Sequence, residues 1–324
     1  MLKKVFILVF VMLSVESTLI QPALAKYPTR SIELVVLYTA GGATDILARL
    51  IGDTASKYLK QPIVVVNKPG AGGSVAAADV INSKPDGYKA VILSNTYFAI
   101  TVKNQKIPFD PSYLVPLASF LEYKVGLGVR GDSQWKTLNE LLDYGRKNPG
   151  KIRWVHAGRG TMTHIQGLLL FRKAGVQTVD IPSKGNPETL SAILGGHVDA
   201  IVFSYGNFID HIKTGKVRYL VFLSDQRYNP EPNIPCSAEL GYPEPAKLTV
   251  NWGIYVHKDT PEEIKKTLID AFKWTYDQPE FKQGVDRLGE EARFGSPDYV
   301  KESIKKGEEG GVPILKELGL LVEK

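Results

Sequence analysis

The chain has 324 residues, 44% of them hydrophobic and 23% charged, with a formal net charge of +6. That is enough apolar material for a large core, and the length points to about two domains. Lysine and arginine are spread without a dense cluster, which excludes a nucleic-acid signature, and no segment has the composition of a disordered region. The single cysteine, Cys236, allows neither an internal disulfide nor a cysteine-based metal cluster.

The N-terminus reads as an export leader. Lys3 and Lys4 precede the apolar run from Val5 to Val15, and Ala23-Leu24-Ala25 forms an A-x-A cleavage site. The apolar run is too short to span a bilayer, which takes about 20 residues. Cleavage after Ala25 removes two lysines and Glu16 and leaves a charge of +5. No cysteine stands at the cleavage site to carry a lipid, so the expected product is a mature periplasmic protein with no anchor.

Short apolar runs then recur, each followed by a turn and a helical pattern. The first, Ile32 to Leu37, leads through Ala40-Gly41-Gly42-Ala43-Thr44-Asp45 into an amphipathic helix ending near Leu59. The run at Ile63 to Val66 leads into the glycine-rich Asn67–Gly73 and a small-residue helix to Ser83. Pro85-Asp86-Gly87 turns into the strand Tyr88 to Leu93, which ends in Ser94-Asn95-Thr96. The pattern loosens over Leu114 to Tyr123, and a second series starts at Val125.

In this second series Thr137 and Glu140 have the spacing of a capping box. The strand Ile152 to His156 passes through Ala157-Gly158-Arg159-Gly160-Thr161 into a helix from Met162 to Lys173. A polar loop, Pro182 to Asn186, precedes another helix, and the strand Val198 to Phe203 ends in Ser204-Tyr205. After the strand Val217 to Leu223, residues 228–246 hold five prolines and read as loop. A strand at Trp252 to Val256 and three closing helices complete the chain. The alternation predicts α/β architecture in two lobes, with parallel sheets covered by helices and ligands outside the carboxyl ends of strands. The first lobe is expected to take residues 26–123 and 251–324, and the second 124–250.

Two stretches have the form strand, glycine loop, helix N-terminus. Such a turn gathers backbone N–H groups without intrahelical acceptors, and the helix dipole favours negative charge there. The candidate ligand contacts are therefore Tyr38, Thr39, Ala40, Gly41, Gly42, Ala43, Thr44 and Asp45 on one side. On the other are Gly158, Arg159, Gly160, Thr161, Thr163 and His164. Asn95, Thr96, Ser183, Ser204 and Tyr205 join them from strand ends and loops. Asp45 reads equally as a first-turn carboxylate and as a ligand acceptor, and Arg159 and Lys184 as ligand cations or solvated loop residues.

Catalytic patterns are missing. There is no G-x-S-x-G elbow, the five histidines have no metal-binding spacing, and Thr163 breaks a G-x-G-x-x-G match begun at Gly158. No catalytic residue, metal or cofactor is assigned. An exported α/β enzyme using His164 with Asp45 or Ser204 is the alternative of a different class.

Several motifs occur in a shared order. They are Tyr27-Pro28, Ala40–Asp45, Asn67–Gly73, Pro85-Asp86-Gly87-Tyr88, Gly158-Arg159-Gly160-Thr161 with His164, Gly195-Gly196-His197-Val198-Asp199, and Asn233-Ile234-Pro235 with Glu239-Leu240-Gly241. The ordered set resembles the substrate-binding proteins of tripartite tricarboxylate transporters, the TctC or Bug family, over nearly the whole mature chain. The resemblance implies a two-lobed periplasmic-binding-protein fold of type II, with the ligand in the inter-lobe cleft. It implies capture of a small carboxylate by the loops matching Tyr38–Asp45 and Gly158–His164, and delivery to membrane permease subunits. No nucleic acid is expected as partner, and the protein is expected to be a monomer. A sensor feeding a membrane receptor would have the same site. This chain departs from the family at Leu37-Tyr38, at Ser183 and at Arg159, where the family often has asparagine or a small residue. The arginine is expected to favour a second anionic group on the ligand.

Overall fold

The computed structural model describes residues 27–248 and 250–322, so the expected leader lies outside the described residues. The chain begins with strand β1 (Ile32–Val36), whose IELVV sequence is buried almost throughout. Helix α1 (Ala43–Leu59) follows and buries Leu47, Ala48, Ile51, Ala55 and Leu59, the stripe that a 3.6-residue period places on one face. Next come β2 (Ile63–Asn67), α2 (Ser74–Ile81), β3 (Lys89–Ser94), the short α3 (Asn95–Ala99) and β4 (Leu114–Tyr123). The chain crosses at Lys124 into β5 (Val125–Arg130), α4 (Leu138–Lys147), β6 (Ile152–His156), α5 (Met162–Lys173), β7 (Thr178–Pro182), α6 (Asn186–Leu194), β8 (Ala200–Ser204), α7 (Ile209–Lys213) and β9 (Val217–Phe222). A long connection returns to β10 (Val250–His257), α8 (Glu262–Asp277), α9 (Pro279–Arg287), β11 (Glu291–Gly295) and α10 (Pro297–Leu318). The capping box on α4 is present, with Glu140 N–H donating to Thr137 Oγ1 and Glu140 receiving the Thr137 N–H.

Two sheets form. One has six strands in the order β11-β4-β10-β3-β1-β2 and the other five in the order β7-β6-β8-β5-β9. Each sheet with its helices makes one α/β lobe. The expectation of parallel sheets is corrected: β10 is antiparallel to β3 and β4, and β5 is antiparallel to β8 and β9. The reason lies in the connections. β5 and β10 each start where the chain has just crossed between lobes, so they run away from the junction. The parallel strands β1, β3, β6 and β8 run toward it.

The loosened pattern at Leu114 to Tyr123 is also corrected, for it is the ten-residue strand β4, flanked on both sides. Pro116 obscures it, since proline has no ladder N–H and is rare in interior strands. The sheet accommodates Pro116 with a register shift in β10 between Ile254 and Tyr255. β7 and β11, each at the edge of its sheet, lack the apolar run that marked the other strands and so did not stand out.

Gln166 of α5 anchors the returning connection to the second lobe, donating to the carbonyls of Pro245 (2.9 Å) and Leu248 (3.0 Å). The lobes themselves touch at several points. Lys173 at the end of α5 pairs with Glu317 of α10 at 2.9 Å. Among the described residues no helix is long and apolar enough to cross a membrane.

Candidate ligand-binding cleft

Strand β1 delivers Leu37 and Tyr38 to the junction, and the turn behind them places Gly42, Ala43 and Thr44 at the head of α1. From the other lobe, β6 ends at a loop that places Thr161, Met162 and Thr163 at the head of α5. The head of α6 brings Gly185 and Asn186 to the same space. These residues, with Tyr97, Tyr123, Phe203, Ser204, Asn207, Val250 and Trp252, enclose a cavity of about 60 Å³. At about 10–15 Å³ per water-sized centre, that is room for a small organic molecule.

The lobes meet closely around this cavity. The Ala43 N–H donates to Asn207 Oδ1 at 2.9 Å. Thr101 Oγ1 and Asn104 Nδ2 both donate to the Gly160 carbonyl, at 2.9 and 3.2 Å. Gly160 has φ +74°, and a Cβ there would come 2.3 Å from Asn104 Oδ1. At Gly185 a Cβ would come 2.4 Å from Thr39 Oγ1. Both glycines are needed for the lobes to approach this far.

No lysine, arginine, histidine, aspartate or glutamate lines the cavity among the described residues. Positive potential is left to the heads of α1, α5 and α6, whose first-turn N–H groups have no intrahelical acceptors. Hydroxyls of Thr44, Ser94, Thr96, Thr101, Thr161, Thr163 and Ser204 add neutral hydrogen-bonding capacity. Burial pushes the phenol of Tyr97 up to about 12 and raises those of Tyr38 and Tyr123 further, so all three stay neutral donors. Trp252 packs against Tyr38 and Tyr123, with ring centroids 6.0 and 5.4 Å apart.

Of the residues singled out from the sequence, Tyr38, Gly42, Ala43, Thr44, Thr96, Thr161, Thr163 and Ser204 lie on the cavity wall. Thr39, Ala40 and Gly41 form the outer part of the turn. Asp45 faces away. It takes a bidentate contact from Arg49 (3.0 and 3.1 Å), the Gly41 N–H (3.0 Å) and the Asn67 amide (2.9 Å). Burial alone would raise its carboxyl, but these donors hold it below the usual carboxylate range. It therefore fixes the shape of the glycine turn. Asn95 Oδ1 accepts the Asn251 N–H at 2.9 Å and braces β10. Tyr205 donates to Glu231 inside the second lobe.

Gly158, Arg159 and Gly160 form the rim of the cleft. The Arg159 side chain is 66% exposed and pairs with Asp180 at 3.2 Å, outside the cavity. Lys184 is also exposed and is not part of the cavity wall. Ser183 is held behind the wall by the His156 carbonyl (3.0 Å) and Thr189 (2.7 Å).

His164 lies behind the wall too, within a buried cluster. Its Nδ1 accepts the Gly160 N–H at 3.1 Å, and His156 Nδ1 accepts the Gly158 N–H at 3.2 Å. Both Nε2 atoms face Asp180 Oδ2, at 3.3 Å from His156 and 3.6 Å from His164. Ligand atoms of these three residues lie within 4.8 Å of one another, as in a metal site. The backbone donors argue otherwise. A neutral imidazole that accepts at Nδ1 carries its proton on Nε2, so neither Nε2 has a lone pair for a cation. The cluster is a hydrogen-bonded support that orients the Gly158–Gly160 loop. Burial and the neighbouring His156, partly offset by Asp180, push His164 down to about 3, so its ring is neutral.

A second buried acid joins the lobes. Glu290, between α9 and β11, accepts from Ser204 Oγ, the Lys124 N–H (3.2 Å) and the Gly206 N–H (3.2 Å). Burial pushes its carboxyl up to about 8, against the pull of these donors.

The sequence reading missed Trp252, Val250, Val125, Tyr123, Tyr97, Asn186, Asn207 and Phe203. Only the polar loop ahead of α6 carried a signal, for Asn186 belongs to it.

Two α/β lobes meeting over a cleft ringed by helix N-termini have the architecture of a solute-binding protein. The family model described as "Tripartite tricarboxylate transporter family receptor" matches residues 47–320. The chain belongs to this family. It is 36% identical over 303 residues to the "UPF0065 protein in gbd 5'region" of Cupriavidus necator, covering 91% of this chain and 89% of that one. The solved structure of the periplasmic binding protein BugD is similar at a TM-score of 0.85 and 27% identity, over 92% of this chain and 100% of the other. MatC from Rhodopseudomonas palustris with bound malate is similar at a TM-score of 0.79 and 28% identity, over 88% and 99%.

Proposed function

We propose that the protein captures a small carboxylate in this cleft after export and delivers it to the membrane subunits of a tripartite tricarboxylate-type transporter. The observation that carries the reading is the meeting of the heads of α1 and α5, one from each lobe, over a cavity lined by no charged side chain among the described residues. An anion there is held by backbone donors and by the hydroxyls of Thr44 and Thr163, while Thr161 Oγ1 donates to the Gly158 carbonyl at 2.7 Å and shapes the loop. Charge-assisted hydrogen bonds contribute about 1.5–3 kcal/mol each before ordering costs. Three or four of them reach the roughly 8 kcal/mol of micromolar affinity. The malate held by MatC supports the same ligand class.

Residues 26–123 with 251–324, and 124–250, then act as two bodies that close on the ligand, with the crossings near Lys124 and Val250 as the hinge. The closed form is the shape that a permease reads. A thermal-shift screen against carboxylates, with amino acids, sugars and nucleotides as controls, tests the proposal. A ligand at 100 times its Kd stabilises the fold by about 2.7 kcal/mol. A shift confined to carboxylates is expected, and uptake of that carboxylate is expected to stop when the transporter's membrane subunits are deleted. A shift with sugars or nucleotides alone contradicts the reading.

A further inference from the structure

The buried acid Glu290 has no part in the binding function described so far, yet it lies against the cleft. Its loop, Leu288 to Glu290, belongs to the first lobe and packs on the second. A Cβ on Gly206 would come 2.1 Å from the Leu288 carbonyl oxygen, and Tyr228 donates to the Gly289 carbonyl at 2.8 Å. Glu290 itself is 3% exposed. Ser204 links its carboxyl to the cavity, for Ser204 is part of the cavity wall and its Oγ donates to Glu290 Oε1. Tyr123 makes a second link. It lines the same cavity, its hydroxyl lies 3.4 Å from that of Thr44 at the head of α1, and the charge of Glu290 helps to keep its phenol neutral.

A bound carboxylate and an ionised Glu290 would therefore be two like charges separated by one layer of side chains. In a low-dielectric space each disfavours the other's ionised form, and one of the two takes a proton. The helix heads favour the charge on the ligand. Burial opposes the charge on Glu290 and raises its carboxyl to about 8. The charged and titratable groups facing Glu290 are the Lys124 ammonium and the phenols of Tyr123 and Tyr219. Both phenols are buried and neutral. Lys124 pairs with Glu122 at 3.2 Å, and its pull on Glu290 is weaker than that of the three hydrogen bonds from Ser204, Lys124 N–H and Gly206 N–H.

We propose that the cleft takes its carboxylate together with one proton from solvent, held on Glu290, so that ligand binding and protonation of this buried acid are coupled. The proposal rests on the carboxylate capture proposed above. Glu290 acts through Ser204 and is a positioning residue. A bound anion makes the complex keep the proton to higher pH than the free protein does. Affinity is then level below about pH 7, where both are protonated, and weakens as pH rises through about 8.

Titration calorimetry with acetate, butyrate, benzoate, succinate and adipate, all fully ionised above pH 7, tests the proposal on the tightest of the five. Wild type is expected to bind it at least fivefold more weakly at pH 9 than at pH 7. Runs at pH 8.5 in two buffers of different ionisation enthalpy are expected to show uptake of at least half a proton per ligand. Glu290→Gln is expected to bind without proton uptake. Ser204→Ala, which removes a donor that favours the ionised carboxyl, is expected to move the fall in affinity up by at least half a pH unit. Level affinity and no proton uptake in wild type overturn the proposal and leave carboxylate capture standing. Proton uptake that persists in Glu290→Gln overturns the role of Glu290. If that variant does not fold, an unmoved pH profile in Ser204→Ala overturns it instead. Failure of all five carboxylates to bind overturns both proposals.

Discussion

Asn104 Nδ2 donates to the carbonyl of Gly160 at 3.2 Å and joins the lobes at a point outside the ligand cavity. Such a contact stabilises only the closed arrangement, so its loss is felt as affinity without any ligand contact being removed. A hydrogen bond of this kind contributes about 0.5–1.5 kcal/mol. Asn104→Ala is therefore expected to weaken carboxylate binding about two- to tenfold in a calorimetric titration. Gly160→Ala is expected to weaken it more, because φ +74° disfavours a side chain and the new Cβ would meet the Asn104 amide. Scattering of Gly160→Ala with saturating ligand is expected to show a larger radius than wild type.

Arg159→Ala is expected to change ligand affinity less than twofold. The guanidinium stands at the rim, largely in water and paired with Asp180, where an ion pair contributes little. A tenfold loss for any carboxylate would place Arg159 in the binding surface and contradict the geometry described here.

The contrast between Arg159 and Trp252 shows what the sequence could carry. Strand, glycine turn and helix are local patterns, so the heads of α1 and α5 were legible, and so were Thr44, Thr161 and Thr163. The parallel-sheet rule then searched only the carboxyl ends of strands. β5 and β10 start at the junction, so their first residues face the cleft, and Val125, Val250 and Trp252 were passed over. Strand direction depends on which lobe the chain has just left, and no window of residues contains it. Asp45, His164 and Ser183 lie beside the loops in sequence yet behind them in space. Their partners, Arg49, Asp180 and Thr189, are known only once the chain is folded.

The buried carboxyl of Glu290 gives a pH dependence with a definite sign. Its value rises from 4.5 in the unfolded chain to about 8 in the fold. Between those limits the unfolded state ionises and the folded state does not. This group's contribution is therefore present at low pH and is lost as pH rises from about 4.5 to 8, by an amount on the order of a few kcal/mol. Glu290→Gln cannot ionise and keeps one carbonyl oxygen for the Ser204 hydroxyl and the Gly206 N–H, giving up the Lys124 contact made by the other carboxyl oxygen. Denaturant melts between pH 5 and 8 are expected to show a flatter stability profile for the variant than for wild type.

His164 acts in the opposite sense. Its ring is neutral in the fold and titrates near 3, against 6.5 when unfolded. Its contribution is complete above pH 6.5 and falls as the pH drops below it. The groups facing the ring are His156, Asp180 and Arg159, and Asp180 is itself held below the ordinary carboxylate range, first by His156. His164→Ala is expected to lose about 1–3 kcal/mol at pH 7, through the orphaned Gly160 N–H and the space left beside Trp154. Its stability is expected to depend less on pH than that of wild type between 6.5 and 4.

The central claim is that backbone donors at the facing helix heads recognise negative charge. It is tested most directly by titrating the tightest-binding carboxylic acid against its primary amide, which has nearly the same shape and no charge. The account predicts that the acid binds at least a hundredfold more tightly at pH 7. Comparable affinity for acid and amide would contradict it, since the cleft would then be recognising shape alone.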